Sequence, residues 1–405
     1  MERSLLKMRL GSAFGLLLAG CAEVGPPDYR QDLALVCAEI PERYFYFEEK
    51  ADYWDEACAQ AQAELTVEAT PFEVLTALEK VVDALYDPHV SFNSNSGSSP
   101  RLLPSGADVW FEKEGESYVL TGLRRGSGAA RSGLEIGDRF VSFNDLGADA
   151  LSMTRIQAGL THLPEARRVW ALNAAIAGYR GAPRNIKIER AGAAFSFVLG
   201  DPEPAGSPEA LTYKMLEGGI GHIRFNNSLG NNVTVESFYD AMTTLGDVKG
   251  LILDLRNTPG GGNTDVAEPI LGYFIDQEQS YQMVLPKGKD SYLRKVSPSK
   301  VGHYDGPMIV LSGRWTGSMG EGMTVGLDAM ARATVMGDRM AGLAGGTEGL
   351  RLPEMDISLF IPTYGLNHLD GTKRHEWAPD IVRTADFGDG EDLLLKAAHA
   401  RLAQP

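Results

Sequence analysis

Ser318 stands between two patterned stretches. Pro307-Met-Ile-Val-Leu311 has the length and composition of a buried strand, and a helical run begins after Ser312-Gly-Arg-Trp-Thr-Gly-Ser318-Met-Gly-Glu321. A serine placed where a strand turns into a helix is well sited to be an activated nucleophile. Such a serine needs a base within hydrogen-bond reach and amide donors for the oxyanion it generates. A donor source lies in Gly250–Gly262, where the apolar run Leu251, Ile252, Leu253 and Leu255 leads into Asn257-Thr-Pro-Gly-Gly-Gly262. No side chain covers the N–H groups of a glycine run, and the loop can adopt angles closed to other residues. Gly260 or Gly261, with the Met319 N–H just after the serine, are the candidate oxyanion donors. Ser318-x-x-Glu321 is also a capping box, and taken alone a cap is the simpler account of this serine.

Together the two units resemble the tail-specific (C-terminal processing) peptidase family. Asp254-Leu-Arg256-Asn-Thr258-Pro-Gly260-Gly261 is similar to that family's Asp-x-Arg-x-Asn-Pro-Gly-Gly, with Thr258 in place of Asn. The resemblance extends over nearly all of the chain after its leader. It implies a crotonase-like, ClpP-type α/β catalytic domain, a peptide or unfolded protein as substrate, and no cofactor. One branch of the family pairs its serine with a lysine about two dozen residues later. Here Leu343 falls near that place, and no lysine occurs from 301 to 372. The tricorn-like branch takes its base from a histidine in a Leu-x-Asp-x-His context, which Leu85-Tyr-Asp87-Pro-His89 matches. Pro88 replaces the serine of that branch. The branch's acidic partner lies shortly before a Gly-Val-x-Pro-Asp motif. The counterpart here is Trp377-Ala-Pro379-Asp380, so Glu376 is implied, although it sits closer to Pro379 than the family spacing. His375 and His368 are rival bases, and Glu348 and Asp380 are other acids. The seven histidines are scattered without His-Glu-x-x-His spacing, so no metal site is expected.

These residues require three positioning units, a multidomain α+β chain. Residues 21–104 read as a helical domain and linker. Thr70-Pro-Phe-Glu73 is a capping box with proline at the first helical position, and Leu75, Leu78, Val82 and Leu85 recur on one stripe. Pro88 ends that helix, which puts His89 at a break. Residues 91–104 read as a polar linker. Residues 105–200 form a β-rich unit, and Ala130-x-x-Gly133-Leu-x-x-Gly137-Asp138 resembles a PDZ domain. A PDZ domain takes extended peptides by strand addition, and here it either binds substrate or only gates the site. An inserted helix is expected within 151–182 and a closing strand pair at 185–198. Residues 205–405 alternate strands at 219–225, 250–255 and 307–311 with helices at about 233–246, 264–276 and 319–331, an α/β sheet with crossovers. Further strands are expected at 333–337 and 357–361, and a closing helix after Asp389.

The chain has 405 residues, 43% of them hydrophobic, and a formal net charge of −16. That charge argues against a nucleic-acid surface. Residues 1–20 read as a lipoprotein signal peptide: Arg3, Lys7 and Arg9, an apolar core, then Leu18-Ala-Gly-Cys21. Their removal takes away three basic residues and one acid, moving the charge from −16 to −18. The expectation is lipid modification at Cys21 and anchorage in the bacterial cell envelope, facing the periplasm from the outer membrane. An ordinary secretory signal is the alternative. Cys37 and Cys58 are either bridged or two buried thiols. The expected activity is that of a serine endopeptidase; the rival is a catalytically inactive peptide-binding lipoprotein on the same scaffold.

Overall fold

The computed structural model describes residues 27–156, 163–203, 209–226, 228–379, 381–382, 387–388 and 391–404. Cys21 and the expected signal peptide before it, and Asp380, lie outside the described residues. Helices α1 (Arg30–Arg43), α2 (Phe47–Lys50), α3 (Trp54–Glu64) and α4 (Pro71–Asp83) form the first unit. A disulfide joins Cys37 on α1 to Cys58 on α3, with 5.9 Å between their Cα atoms. The start of α4 follows from its sequence: Glu73 accepts the Thr70 N–H at 2.8 Å, and Thr70 Oγ1 accepts the Glu73 N–H at 3.3 Å. Val74, Leu75, Leu78, Val81 and Val82 form its buried stripe. Past Pro88 the chain enters β1 (Ser91–Phe92), which pairs antiparallel with Leu359 and Phe360. Part of the interval expected to be a linker is therefore a strand of a distant sheet.

The second unit contains β2 (Val109–Glu114), β3 (Ser117–Leu123), α5 (Gly128–Ser132), β4 (Arg139–Phe143), α6 (Ala148–Ser152), α7 (Glu165–Ala177), β5 (Asn185–Arg190) and β6 (Ala193–Val198). Its five strands run antiparallel in sequence order. The helix expected within 151–182 is α7. It docks through Asn173, whose amide both accepts the Phe111 N–H and donates to the Phe111 carbonyl at 2.8 Å.

The third unit holds β7 (Leu211–Leu216), β8 (Ile220–Phe225), α8 (Val233–Leu245), β9 (Gly250–Asp254), α9 (Thr264–Gly272), β10 (Gln279–Pro286), β11 (Tyr292–Val296), β12 (Met308–Ser312), α10 (Met319–Ala329), β13 (Thr334–Gly337), β14 (Gly346–Leu352), β15 (Ile357–Asn367), β16 (Ile381–Val382), β17 (Phe387–Gly388), β18 (Glu391–Asp392) and α11 (Leu393–Leu402). One sheet runs β16-β13-β12-β9-β8-β7, parallel except for β7. Alternate side chains of a strand face opposite ways. Leu251, Leu253 and Val310 accordingly pack with α8, α9 and α10, while Ile252, Ile309 and Leu311 pack with Leu394 and Ala398 of α11. Burial on both faces explains the unbroken apolar runs. A second sheet, β1-β15-β10-β11 with β14 on β15, is antiparallel. Its strands β10, β11 and β14 have no counterpart in the sequence expectations.

Candidate active site

Parallel strands β9 and β12 end side by side, so their C-terminal loops lie together. The Thr258 N–H donates to the Trp315 carbonyl at 2.9 Å, and the Gly317 N–H to the Thr258 carbonyl at 3.2 Å. Both Thr258 Oγ1 and Thr316 Oγ1 donate to the Leu255 carbonyl at 2.9 Å. The threonine that departs from the family pattern is thus fully buried and bonded. Ser318 leaves these loops with φ 49° and ψ −105°, a conformation rare for a residue with a side chain. Such strain persists only where its surroundings hold it. Gly261 is one such constraint: a Cβ there would lie 2.6 Å from Ser318 Cβ. Gly320 is another, since a Cβ there would meet Thr258 Oγ1 at 2.3 Å.

His89 reaches this serine from the first unit. Its Nε2 lies 3.0 Å from Ser318 Oγ, and its Nδ1 lies 2.7 Å from the Ala344 carbonyl oxygen. A carbonyl oxygen only accepts, so Nδ1 carries the proton and Nε2 presents its lone pair to the serine hydroxyl. The break after α4 is fixed by Asp87, a buried residue. Its carboxylate accepts the His89 N–H at 2.9 Å and the Tyr44 hydroxyl at 2.6 Å, with Lys50 at 3.2 Å. Burial alone would raise the Asp87 carboxyl, but the Lys50 charge and the Tyr44 bond carry it below its ordinary value. Burial pushes the His89 imidazole down to about 4, and the Arg374 charge pushes the same way. The ring is therefore neutral at pH 7.

Glu321 fixes the third segment. Its carboxylate accepts the N–H groups of Ser318 at 2.8 Å, Gly342 at 3.0 Å and Leu343 at 3.2 Å. The capping residue at the third helical position therefore ties the nucleophile to the loop whose Ala344 carbonyl orients His89. Burial pushes Glu321 up to about 7, against the opposing Arg374 charge and the three amide donors. Arg374, itself buried, donates from Nη2 to the carbonyls of Leu343 at 3.0 Å and Gly345 at 2.8 Å, flanking Ala344. Near the place of the family's lysine, Leu343 contributes backbone groups to this network.

The structure brings Ser318 and His89 together but not Glu376. The Glu376 side chain is 60% exposed and lies 3.8 Å from Lys373 and 3.9 Å from His375. It follows a turn that faces solvent, and the Ala344 carbonyl occupies the Nδ1 side of His89. His375 packs edge-on against Tyr46, and His368 pairs with Asp328 and Asp370, so neither rival base lies against Ser318. Of the expected oxyanion donors, the Gly261 N–H closes a turn on the Thr258 carbonyl at 3.1 Å. The Gly260 and Met319 amides have no acceptor among the described residues. Glu348 is exposed at the rim of the cleft beside the serine. Sequence reasoning missed the roles of Asp87, Glu321, Arg374 and the Ala344 carbonyl. Asp87 and Glu321 had local signals, an acid two residues before His89 and a capping box. The other two had none.

A cleft of about 470 Å³ opens beside Ser318 and Met319, walled by β10, β11 and β15. The second unit touches both loops of the site. Arg124 donates from Nε and Nη2 to Asn257 Oδ1 at 3.2 and 3.1 Å, and Trp315 Nε1 donates to the Ala107 carbonyl at 2.8 Å.

Residues 219–383 match the model of Peptidase family S41, a stretch that includes Ser318 but not His89. Over 275 residues the chain is 22% identical to the Carboxy-terminal processing protease CtpA of Bacillus subtilis (strain 168), covering 66% of this chain and 54% of that protein. The chain thus spans about half the length of the curated relative it matches. Among solved structures it is similar to mature CPAF complexed with lactacystin, with TM-score 0.59, 14% identity, and 93% and 96% of the two chains covered. It is also similar to the photosystem II D1 C-terminal processing protease, with TM-score 0.56, 14% identity and coverage of 88% and 93%. The structural likenesses show a shared mixed α/β fold, and the sequence matches show that residues 219–383 are similar to Peptidase family S41.

Proposed function

We propose that the chain is a serine peptidase with Ser318 as nucleophile and His89 as general base. The observation that carries this reading is the 3.0 Å contact between Ser318 Oγ and His89 Nε2, with the ring tautomer set by Ala344. Ser318 Oγ attacks the peptide carbonyl carbon while its proton passes to Nε2. The resulting oxyanion faces the unbonded amides of Met319 and Gly260. Collapse of the intermediate breaks the C–N bond, and Nε2 returns the proton to the leaving amine. Water then attacks the acyl group on Ser318, again with His89 as base. On this reading the substrate is a peptide or an unfolded protein tail. The second unit acts as a PDZ-like element that binds the peptide or gates the two loops it touches. The chain works in the cell envelope, held there by lipid on Cys21.

A fluorophosphonate probe tests the reading. Wild-type protein should be labelled at Ser318. Ser318→Ala should abolish labelling, and His89→Ala should slow it by about four orders of magnitude, as loss of the orienting triad acid does to turnover. In peptide turnover the double variant should be little worse than either single one, because the two residues act as a unit. Folded wild-type protein that resists the probe would leave the inactive peptide-binding reading in its place.

A further inference from the structure

The cleft beside Ser318 is not uniformly apolar. Apolar Val284 and Leu366 line it together with Gln282 and Arg294. These last two are register partners on β10 and β11. Gln282 is only 3% exposed, yet its Nε2 has no hydrogen-bond partner among the described residues. A buried carboxamide without partners is costly, and nearly all buried polar groups in folded proteins are satisfied. Arg294 is held in place: Glu268 Oε1 accepts its Nε at 2.6 Å and the Tyr281 hydroxyl at 2.8 Å. Its side chain remains 37% exposed and lines the cleft. The other cation lining the cleft is Arg374, with Nε also unpartnered. Against these stands Glu348, exposed at the rim, where water and salt screen it. Glu268 already serves both Arg294 and Tyr281.

We propose that Gln282 and Arg294 form a subsite for a carboxylate of the bound peptide. The source is either an acidic side chain on the residue whose carbonyl is attacked or the C-terminus of the chain. The carboxylate would accept from the guanidinium and from the Gln282 amide, giving Gln282 Nε2 the partner that it lacks among the described residues. The inference rests on the peptidase reading and gives its substrate class: peptides carrying a negative group in the cleft.

Two sets of probes test it. Acetyl-Ala-Ala-X peptides with X as Glu, Gln, Leu or Lys, each as free acid and as carboxamide, are titrated against the Ser318→Ala protein. The matching coumarylamides are turned over by wild-type protein. The expected result is a preference of about tenfold or more for the peptide that carries the carboxylate, Glu over Leu or free acid over carboxamide, since sites built to hydrogen-bond a group discriminate strongly against its absence. Arg294→Gln should collapse the preference, Arg294→Lys should retain part of it, and Gln282→Leu should reduce it. If the Glu carboxamide keeps the preference, the side chain is the source. If the preference follows the free acid whatever X is, the C-terminus is the source. Equal binding of all the peptides, Glu and Leu, free acid and carboxamide alike, would overturn the proposal, as would an unchanged preference in cooperatively folded Arg294→Gln protein. Carboxylate-selective binding without probe labelling or turnover would keep the subsite and refute the peptidase reading instead.

Discussion

Gly261→Ala isolates the contact that holds the nucleophile. The added methyl would lie 2.6 Å from Ser318 Cβ and 3.1 Å from Ser318 Oγ. Carbon atoms pack best at about 3.5–4.0 Å, so the loop and the serine must separate by roughly 1 Å. The 3.0 Å approach of Oγ to His89 Nε2 cannot survive that displacement unchanged. A misplacement of ~1 Å at reacting groups costs about 10²-fold in rate. The backbone adds a smaller term. Gly261 has φ +62°, where a residue with a Cβ loses about 1–2 kcal/mol. Gly115→Ala separates the two effects, since Gly115 has φ +59° and nothing within 4 Å of its would-be Cβ. Gly115→Ala should show the backbone loss alone in urea and keep full labelling, whereas Gly261→Ala should lose more stability through its clash and lose fluorophosphonate labelling by about 100-fold. Labelling of folded Gly261→Ala protein at the wild-type rate would refute the steric argument.

Three other outcomes follow from the same geometry. The neutral imidazole is the base, so activity falls as pH drops through its pKa; with His89 pushed down to about 4, the acid limb of kcat/KM should lie well below the ordinary 6.5. A limb at 6.5 that disappears in no Glu321 variant would contradict the burial of the ring. Glu321 is raised from 4.5 to about 7 in the folded protein, which therefore binds more protons than the unfolded chain, so its contribution to stability is lost as pH rises through that window. Glu321→Gln should remove this pH dependence and slow Ser318 labelling by about tenfold or more, because an amide N–H2 now meets a backbone donor where the carboxylate accepted three; urea titrations at several pH values and probe kinetics check both. Reducing the Cys37–Cys58 bridge, which closes a loop of 21 residues, should cost about 3 kcal/mol in urea unfolding, and a loss near zero would show that α1 and α3 hold together without it.

The parallel sheet was legible because its strands are buried on both faces and its helices start at recognisable signals. Leu251 to Leu255 and Met308 to Leu311 read as strands without alternation, and their loops carry the glycines and the serine. The antiparallel sheet was harder. In β10 a register shift between Ser280 and Gln282 buries Tyr281 and Gln282 in succession, so the two-residue period is broken. In β11 most side chains are open to solvent, and little hydrophobic signal remains. That hairpin carries the cleft wall, so the subsite was invisible while the dyad was not. Ser318 and His89 had motifs. The group that orients His89 is the carbonyl of Ala344, and a backbone atom leaves no trace in residue type. Glu376 was placed by motif spacing, but spacing does not report that the turn from Lys373 to Glu376 faces solvent.

One physical device recurs at each segment of the site. Asp87 accepts the N–H of His89, Asp254 accepts the N–H of Arg256, and Glu321 accepts the N–H of Ser318. In every case a buried carboxylate lies two or three residues from the group it fixes and then reaches a second element. Asp87 reaches Tyr44, Asp254 pairs with the Arg256 side chain that also binds Asp392, and Glu321 reaches Gly342 and Leu343. A buried carboxylate in such a network is costly to leave unpaired, which makes each junction stiff. The three differ in how firmly they stay charged. Nearby cations hold Asp87 and Asp254 below their ordinary values despite burial, whereas burial prevails at Glu321 and raises it to about 7. On acidification Glu321 is therefore the first junction to take up a proton, well before His89 does. Proton uptake there turns a carboxylate that accepts three amides into a neutral acid, so the bonds to the Ser318, Gly342 and Leu343 N–H groups change while the imidazole is still neutral. Any step in the pH–rate profile near 7 then belongs to positioning and not to the base, and it should vanish in Glu321→Gln while the limb near 4 remains.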